Sequence, residues 1–389
     1  MGISPDALSS VLSYPAFTKN GEEFNMQTDR LKRIHTVVIG GGQAGLAVGY
    51  HLARSGVRFL ILDAGSRVGD AWRNRWDSLR LFTPARYAGL PGFRFPARGD
   101  SFPTKLEMAD YLEAYSRHFH LPVRSGVRVD RVSRRGDRFR VSAGPEEFEA
   151  ENVVVAMANY QKPRTPGFAK ALDPSIKQLH SAYYRNPSQL QPGKVLIVGA
   201  GNSAADIAIE LARTHTTLMS GKESGHVPFP IESFFFRFFG IRIVRFLGHH
   251  ILSLATPIGR KLRPKMLHRS APLVRVKPAE LAAAGVDRVP RVVEVSNGKP
   301  LLADGRILDV QNVIWCTGYE PGFSWIDLPV FEGNGDPVHD RGIVSCVPGL
   351  FFVGLHYLYS MTSATIVGVS RDAKRIVKAV VARDSEAAA

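Results

Sequence analysis

Thr36-Val37-Val38-Ile39-Gly40-Gly41-Gly42-Gln43-Ala44-Gly45 is the stretch on which the reading of the chain turns. Its first four residues are apolar or β-branched, which suits a parallel strand buried on both faces. Gly40, Gly42 and Gly45 then give the spacing G-x-G-x-x-G. The first allows a tight turn, the second lets backbone approach a pyrophosphate, and the third lets helix pack on strand. A helix over 46–55 offers its amides and positive dipole end to phosphates, with Gln43 and Ala44 between the glycines. A strand over 57–62 ends at Asp63, about 20 residues past the glycines, where a carboxylate can hold a ribose hydroxyl. Strand, glycines, helix, strand and acid in this order predict a dinucleotide site.

A second copy follows. A buried strand over 194–198 leads into Gly199-Ala200-Gly201-Asn202-Ser203-Ala204, spaced G-x-G-x-x-A, then a helix over 206–213 and a strand over 216–219. The tip of that strand is Ser220-Gly221-Lys222, not an acid. A serine and a lysine suit a 2′-phosphate, which predicts NADPH over NADH, against the plainer reading of Lys222 as a solvated surface charge.

The rest of the composition narrows the class. A chain of 389 residues with 44% hydrophobic content suggests two or three domains, each able to bury a real core. The two cysteines, Cys316 and Cys346, argue for a reducing, cytoplasmic setting and against a disulfide framework or metal cluster. No secretory pattern opens the chain and no apolar run is long enough to span a bilayer. The net charge of +15 is spread over arginines from end to end, and no nucleic-acid-binding motif accompanies it, so no nucleic-acid partner is expected.

Between the copies, 68–84 gathers tryptophans and arginines into a segment too irregular for a strand. It reads either as a surface loop or as a wall beside an aromatic ring and phosphates. A helix over 104–120 with Thr104 as N-cap is expected. Prolines from Pro163 to Pro166, then a polar stretch to Pro192, suggest a hinge. The segment 226–270 is rich in Phe and Arg. It is either a basic amphipathic helix on an anionic membrane, giving peripheral attachment, or a helical lid over an apolar pocket. Strands over 312–319 and 350–354, with a last helix from about 365, are expected to return to the first sheet.

With these parts in place, the chain resembles the flavin-containing monooxygenases, and most closely the short bacterial CzcO-like NAD(P)/FAD-dependent oxidoreductases. The resemblance runs from about Ile34 to Ala379 and rests on the paired glycine motifs and the strand Trp315-Cys316-Thr317-Gly318-Tyr319. It implies an α/β fold with two Rossmann-like dinucleotide-binding domains, an FAD domain with an NADPH domain inserted. The corresponding division is an N-terminal arm over 1–33, an FAD domain over 34–165 and 313–389, and an NADPH domain over 166–312. By the same resemblance Gly40, Gly42, Gly45 and Asp63 hold the ADP part of FAD, while Trp72 and Arg75 to Thr83, including Leu81, line the flavin and its pyrophosphate. Gly199, Gly201, Asn202, Ser203 and Ala204 hold NADPH, with Ser220 and Lys222 near its 2′-phosphate. Thr317 and Gly318 join the cofactors, and Gly354 and the helix bearing Asp372 close over the isoalloxazine.

The family signature Phe-x-Gly-x-x-x-His keeps its histidine as His180, a weak catalytic candidate better suited to a hinge, while Pro174 and Ile176 replace the phenylalanine and glycine. Thr83-Pro84 stands where some members have Thr-Asn. The implied reaction begins with hydride transfer from NADPH to flavin. A C4a-hydroperoxide then forms with O2, and one oxygen atom passes to a small apolar organic substrate. A flavin reductase without oxygen insertion, or a membrane-associated redox regulator, are the rival readings.

Overall fold

In the computed structural model, which describes residues 31–267, 271–333 and 335–388, the chain opens on β1 (Leu31–Ile39), α1 (Gln43–Arg54) and β2 (Phe59–Leu62). Next come α2 (Asp70–Arg73), α3 (Lys105–His118), β3 (Val123–Arg124), β4 (Arg131–Arg135), β5 (Arg138–Ala143) and β6 (Glu146–Val155). Among the described residues these strands form one sheet in the order β3-β2-β1-β6-β5-β4. β6 runs parallel beside β1 from Glu147 to Val155, and its lower half pairs antiparallel with β5 on the other side. The arm expected over 1–33 lies outside the described residues as far as 30. Its last three residues correct the expectation: 31–33 lengthen β1, in register with Glu147–Glu149 of β6.

The chain then crosses through β7 (Lys162–Pro163) to β8 (Lys177–His180), β9 (Val195–Val198), α4 (Asn202–Leu211) and β10 (Thr217–Ser220). A helical run follows, built of a π-type turn over Phe236–Gly240, α5 (Ile241–Phe246) and a second π-type turn over Leu247–Ile251, and then α6 (Pro257–Leu267). After α7 (Pro278–Ala283) come β11 (Asp287–Val289), the hairpin β12 (Val292–Ser296) and β13 (Lys299–Leu302), and β14 (Asn312–Trp315). The hairpin turns at Asn297-Gly298, where both residues have positive φ, as a type I′ connection requires. The second sheet is wholly parallel, in the order β11-β10-β9-β14-β8.

The placement of β14 corrects a second expectation. Asn312–Trp315 does not return to the first sheet but lies between β9 and β8 of the second. Its four residues are buried, as a central parallel strand demands, and that texture is common to both sheets. The return comes later. After β15 (Tyr319–Glu320), β16 (Leu350–Phe352) pairs with the upper end of β6, and α8 (Val369–Ala388) lays Ala373, Ile376, Val377 and Val380 into the core that contains Leu46 and Val48 of α1.

Local chemistry fixes α3 tightly. The Thr104 hydroxyl accepts from the Glu107 amide at 3.2 Å, and the Glu107 carboxylate accepts from the Thr104 amide at 2.7 Å. This reciprocal box satisfies two donors that a bare helix start would leave open. Replacing Thr104 with alanine is expected to cost about 1 kcal/mol of stability, read as a lower denaturation midpoint with unchanged slope. An unchanged midpoint would refute the assignment.

Candidate functional site

The first glycine turn separates glycines the protein needs for itself from one it does not. Gly40 has φ +111°, and a Cβ there would lie 2.9 Å from the Ala156 carbonyl oxygen; a Cβ on Gly45 would lie 1.8 Å from the Gly40 carbonyl oxygen. Gly42 is different. Its φ is an ordinary −77°, and a Cβ on it would meet nothing within 4 Å. Neither backbone nor packing asks for glycine there, and the open space leaves room for a ligand to approach the backbone closely. Gly42 is also the N-cap of α1, with no side-chain cap and no acid in the first turn, so the opening amides remain available for an anion. Asp63 sits beside this turn. Its carboxylate accepts from the Gly41 amide and, at 2.6 Å, from the Gly65 amide, which leaves lone pairs for ribose hydroxyls. Gln43 donates to the Ala364 carbonyl at 3.3 Å while its own buried amide oxygen has no partner, and Ala44 packs on Gly354.

The second turn repeats the pattern. Gly199 has φ +130°, and a Cβ there would lie 2.3 Å from the Cys316 carbonyl oxygen. Gly201, with φ −85°, meets nothing within 4 Å and starts α4 without a side-chain cap. Ser203 lies in the first turn, and Ala204 is buried in the core beneath, where its small size lets α4 approach the sheet. The Asn202 side chain is occupied elsewhere: it accepts from the Val274 amide at 2.8 Å and donates to the Pro272 carbonyl at 3.0 Å.

Ser220 is a correction. It is fully buried, donates to the Pro290 carbonyl at 2.9 Å and accepts from the Val292 amide at 3.0 Å. Its hydroxyl stitches β10 to the start of β12 and does not face a ligand. Lys222 is exposed at the strand tip as expected. Beside it stands a cation that sequence reading missed, Arg288, whose guanidinium donates to the Gly221 carbonyl at 2.8 Å. Arg288 comes from β11, about 70 residues later, and only the pairing of β10 with β11 brings it there.

Between the turns, 68–84 is anchored to both cores. Trp72 lies on α2 and packs against the first core. Arg73 holds that helix by donating to Asp110 at 3.0 Å and Glu113 at 2.8 Å. Trp76 goes the other way and is buried in the second core with Tyr184 and Ala205. Lys105 donates to the Arg75 carbonyl and to Asp77, both at 2.6 Å. Arg75 donates to the Tyr319 hydroxyl at 3.0 Å. Leu81 is buried, its carbonyl accepting from Arg275 at 2.6 Å, and Thr83 is half-buried nearby.

His180 serves as a hinge pin. Its Nδ1 accepts from the Ala182 amide at 3.1 Å, which makes Nε2 the protonated nitrogen, donating to the Gly318 carbonyl at 3.1 Å. Burial, with Arg75 close by, lowers its pKa, so the ring stays neutral. Both nitrogens are spoken for, which leaves no position for a catalytic base. Thr317 donates through its hydroxyl to the Arg164 carbonyl, and Arg164 donates back to the Thr317 carbonyl at 2.9 and 3.1 Å. Burial pushes the Cys316 thiol up to about 12, and among the described residues no cluster with metal-ligand character occurs.

Residues 148–338 match a family described as flavin-binding monooxygenase-like, and residues 37–225 match the pyridine nucleotide-disulphide oxidoreductases. The chain is 38% identical over 353 residues to an oxidoreductase described as CzcO-like from Geobacillus kaustophilus, covering 88% of this chain and 97% of that protein. A solved flavin-containing monooxygenase from Stenotrophomonas maltophilia superposes with a TM-score of 0.72 at 32% identity, covering 90% of this chain and 99% of that one. A probable indole-3-pyruvate monooxygenase, YUCCA3 of Arabidopsis thaliana, is 27% identical over 77% of both chains.

Two expectations follow from the site. Arg288→Ala should raise the KM for NADPH about tenfold while leaving that for NADH nearly unchanged, and Ser220→Ala should not alter the ratio. Equal effects of Arg288→Ala on both coenzymes would remove it from the 2′-phosphate site. The second concerns Asp372 on α8, whose carboxyl is pushed by burial from 3.8 up to about 6. Between those values the folded state binds the extra proton, so stability falls as pH rises through the window and stays lower above it. Asp372→Asn is neutral throughout and should gain about 3 kcal/mol on wild type between pH 3.5 and 7. A difference in melting temperature that does not vary with pH would refute this.

Proposed function

This chain belongs to the flavin-binding monooxygenase-like family of FAD- and NAD(P)-dependent oxidoreductases, and from that premise we propose that it is an NADPH-consuming monooxygenase. It would place one atom of O2 in a small apolar organic substrate and release the other as water, with NADPH and a proton supplying the reducing equivalents. The observation that supports the reading most directly is the pair Gly42 and Gly201. Each has unstrained backbone, open space where a side chain would be, and an uncapped helix behind it. FAD at the first turn would accept hydride from the nicotinamide and supply the oxygen chemistry.

The protein's own contribution is then binding, alignment and shielding. Asp63 and the α1 amides take the adenosine diphosphate part of FAD, and the α4 amides take the NADPH pyrophosphate. Lys222 and Arg288 take the 2′-phosphate as a point charge and a planar fork. Arg75, Tyr319 and His180 fix the crossing between the two sites. The inward residues Phe236 and Ile241 pack with Phe102 and Ile231, and under this reading they would exclude water from one side. No side chain is assigned a proton-abstracting role. Both cysteines are free, which suits a reducing cytoplasmic setting. Sulfides, amines, ketones and 2-oxo acids are the substrate classes to compare, the last because the Arabidopsis relative is named for one.

The FAD-loaded protein, given NADPH, ¹⁸O2 and a panel of these substrates, should put one labelled atom into a single product class. NADPH oxidation matched by hydrogen peroxide, with no labelled product, would instead establish a reductase. Gly201→Val fills the second cradle and should lower NADPH oxidation by about two orders of magnitude with FAD retained. Loss of the flavin as well would contradict separate sites.

A further inference from the structure

We propose that the outer face of the helical run 234–266 is a docking surface for an anionic phospholipid bilayer. The chain carries seven arginines and lysines and no carboxylate between 233 and 267. Large apolar side chains stand among them in the open: Phe234 is 73% exposed, Phe235 64%, Phe239 52%, Ile243 53% and Phe246 58%. Soluble surfaces scatter such residues singly; this run concentrates them.

Their exposure is not that of a helix waiting for its own core. Phe236 and Ile241 already bury the inner face against Phe102 and Ile231. Arg237 lies over the Phe102 ring at 5.4 Å, Arg245 over Tyr87 at 4.8 Å, and Arg86 over Phe238 at 4.4 Å. The far end is tied down where Arg371 donates to the His249 carbonyl at 2.8 Å and His249 Nδ1 meets the Thr362 hydroxyl at 2.9 Å. The two π-type turns take more residues per turn than an α-helix, which keeps Phe235, Phe239, Ile243 and Leu247, spaced by four, on one side. Phe235 and Phe239 stack there with ring centroids 5.8 Å apart. A fixed base thus presents an apolar ridge.

The charges select the occupant. Arg242 is exposed on the ridge's own helix, Arg260, Lys261 and Lys265 are exposed on α6, the next helix in the chain, and Asp100 is engaged with Arg98 and Arg237. A second copy related by a twofold axis would set this cationic face against itself. Phospholipid headgroups supply the opposite sign at the level where the charged tips lie, and the acyl boundary below accepts the phenyl rings. No helix among the described residues is long and apolar enough to cross a membrane, so the contact is with one leaflet.

Flotation with vesicles of phosphatidylcholine alone and of phosphatidylcholine with phosphatidylglycerol tests this on the full FAD-loaded chain. Wild type should float with the anionic vesicles about tenfold more than with the neutral ones, and less so at high salt. Phe235→Asp/Phe239→Asp and Arg242→Glu/Lys261→Glu should each lose about tenfold or more of that binding. Unchanged melting curves and NADPH oxidation would show both variants folded. The charge-reversal pair lies wholly at the surface and decides the question even if the phenylalanine pair misfolds. Wild type that stays with free protein in both preparations, or variants that float like wild type, would overturn the proposal. So would a dimer abolished by the phenylalanine variant with no vesicle binding.

Discussion

Each glycine turn in this protein is braced by the carbonyl of the strand next door, and that contact constrains everything around it. Gly40 is pressed on Ala156 at the end of β6, and Gly199 on Cys316 at the end of β14. In both cases the bracing strand is the one whose exit leaves its sheet and crosses toward the other. The two exits then meet. β7 and β15 pair antiparallel, Tyr319 opposite Pro163 and Glu320 opposite Lys162, and Arg164 and Thr317 lock them side by side. A shift of either crossing would therefore be felt directly at a glycine turn. Gly318 concentrates this coupling, because its carbonyl accepts both the Arg164 amide at 3.0 Å and His180 Nε2 at 3.1 Å.

A second strap reinforces the crossing from the side. The segment around Trp76 starts on the first core and ends in the second, and it is held at several points. Asp77 accepts from Lys105 on α3 and from Asn186 at 2.7 Å, while its amide donates to the Arg185 carbonyl at 2.7 Å. An aromatic ring of this size buried in a foreign core is worth about 3–5 kcal/mol against truncation. Hydride transfer needs two rings held within van der Waals reach, so a stiff crossing with few free torsions serves it better than a flexible linker. The neutral, doubly engaged His180 fits that purpose: it positions a strand and carries no charge into a site where charge would be costly to bury.

How much of this the chain discloses in advance depends on whether the determining contacts are local. The glycine turns, the helices behind them and the Thr104 cap are settled within a few residues, and sequence spacing captures them. Arg288 and Ser220 show the limit. Both lie near one strand tip, but which of them faces outward follows from the pairing of β10 with β11 and from a hydroxyl spent on Pro290 and Val292, contacts about 70 residues apart. β14 is the same case at the level of topology. Asn-Val-Ile-Trp is as suitable for one parallel sheet as for the other, and only register with β8 and β9 decides it. Trp76 likewise reads as a neighbour of Trp72, although the two face different cores.

The helical run 234–266 is ambiguous in sequence for a more interesting reason: both of its readings call for an apolar face. A lid must present apolar groups inward, and an interfacial helix must present apolar groups outward with cations at the rim. A run that does both is apolar nearly all round, so periodicity cannot separate the faces. The arginines do. Arg237 and Arg245 turn back over Phe102 and Tyr87, where their stems cover apolar surface and their charge meets a ring. Arg242, one turn away, stays exposed. Cations that fold inward mark the seam with the protein; those that remain outside belong to the face proposed to meet the bilayer. Water alone gives no reason to leave phenylalanines exposed on a run that also carries exposed cations, and the bilayer interface proposed for this face would take both.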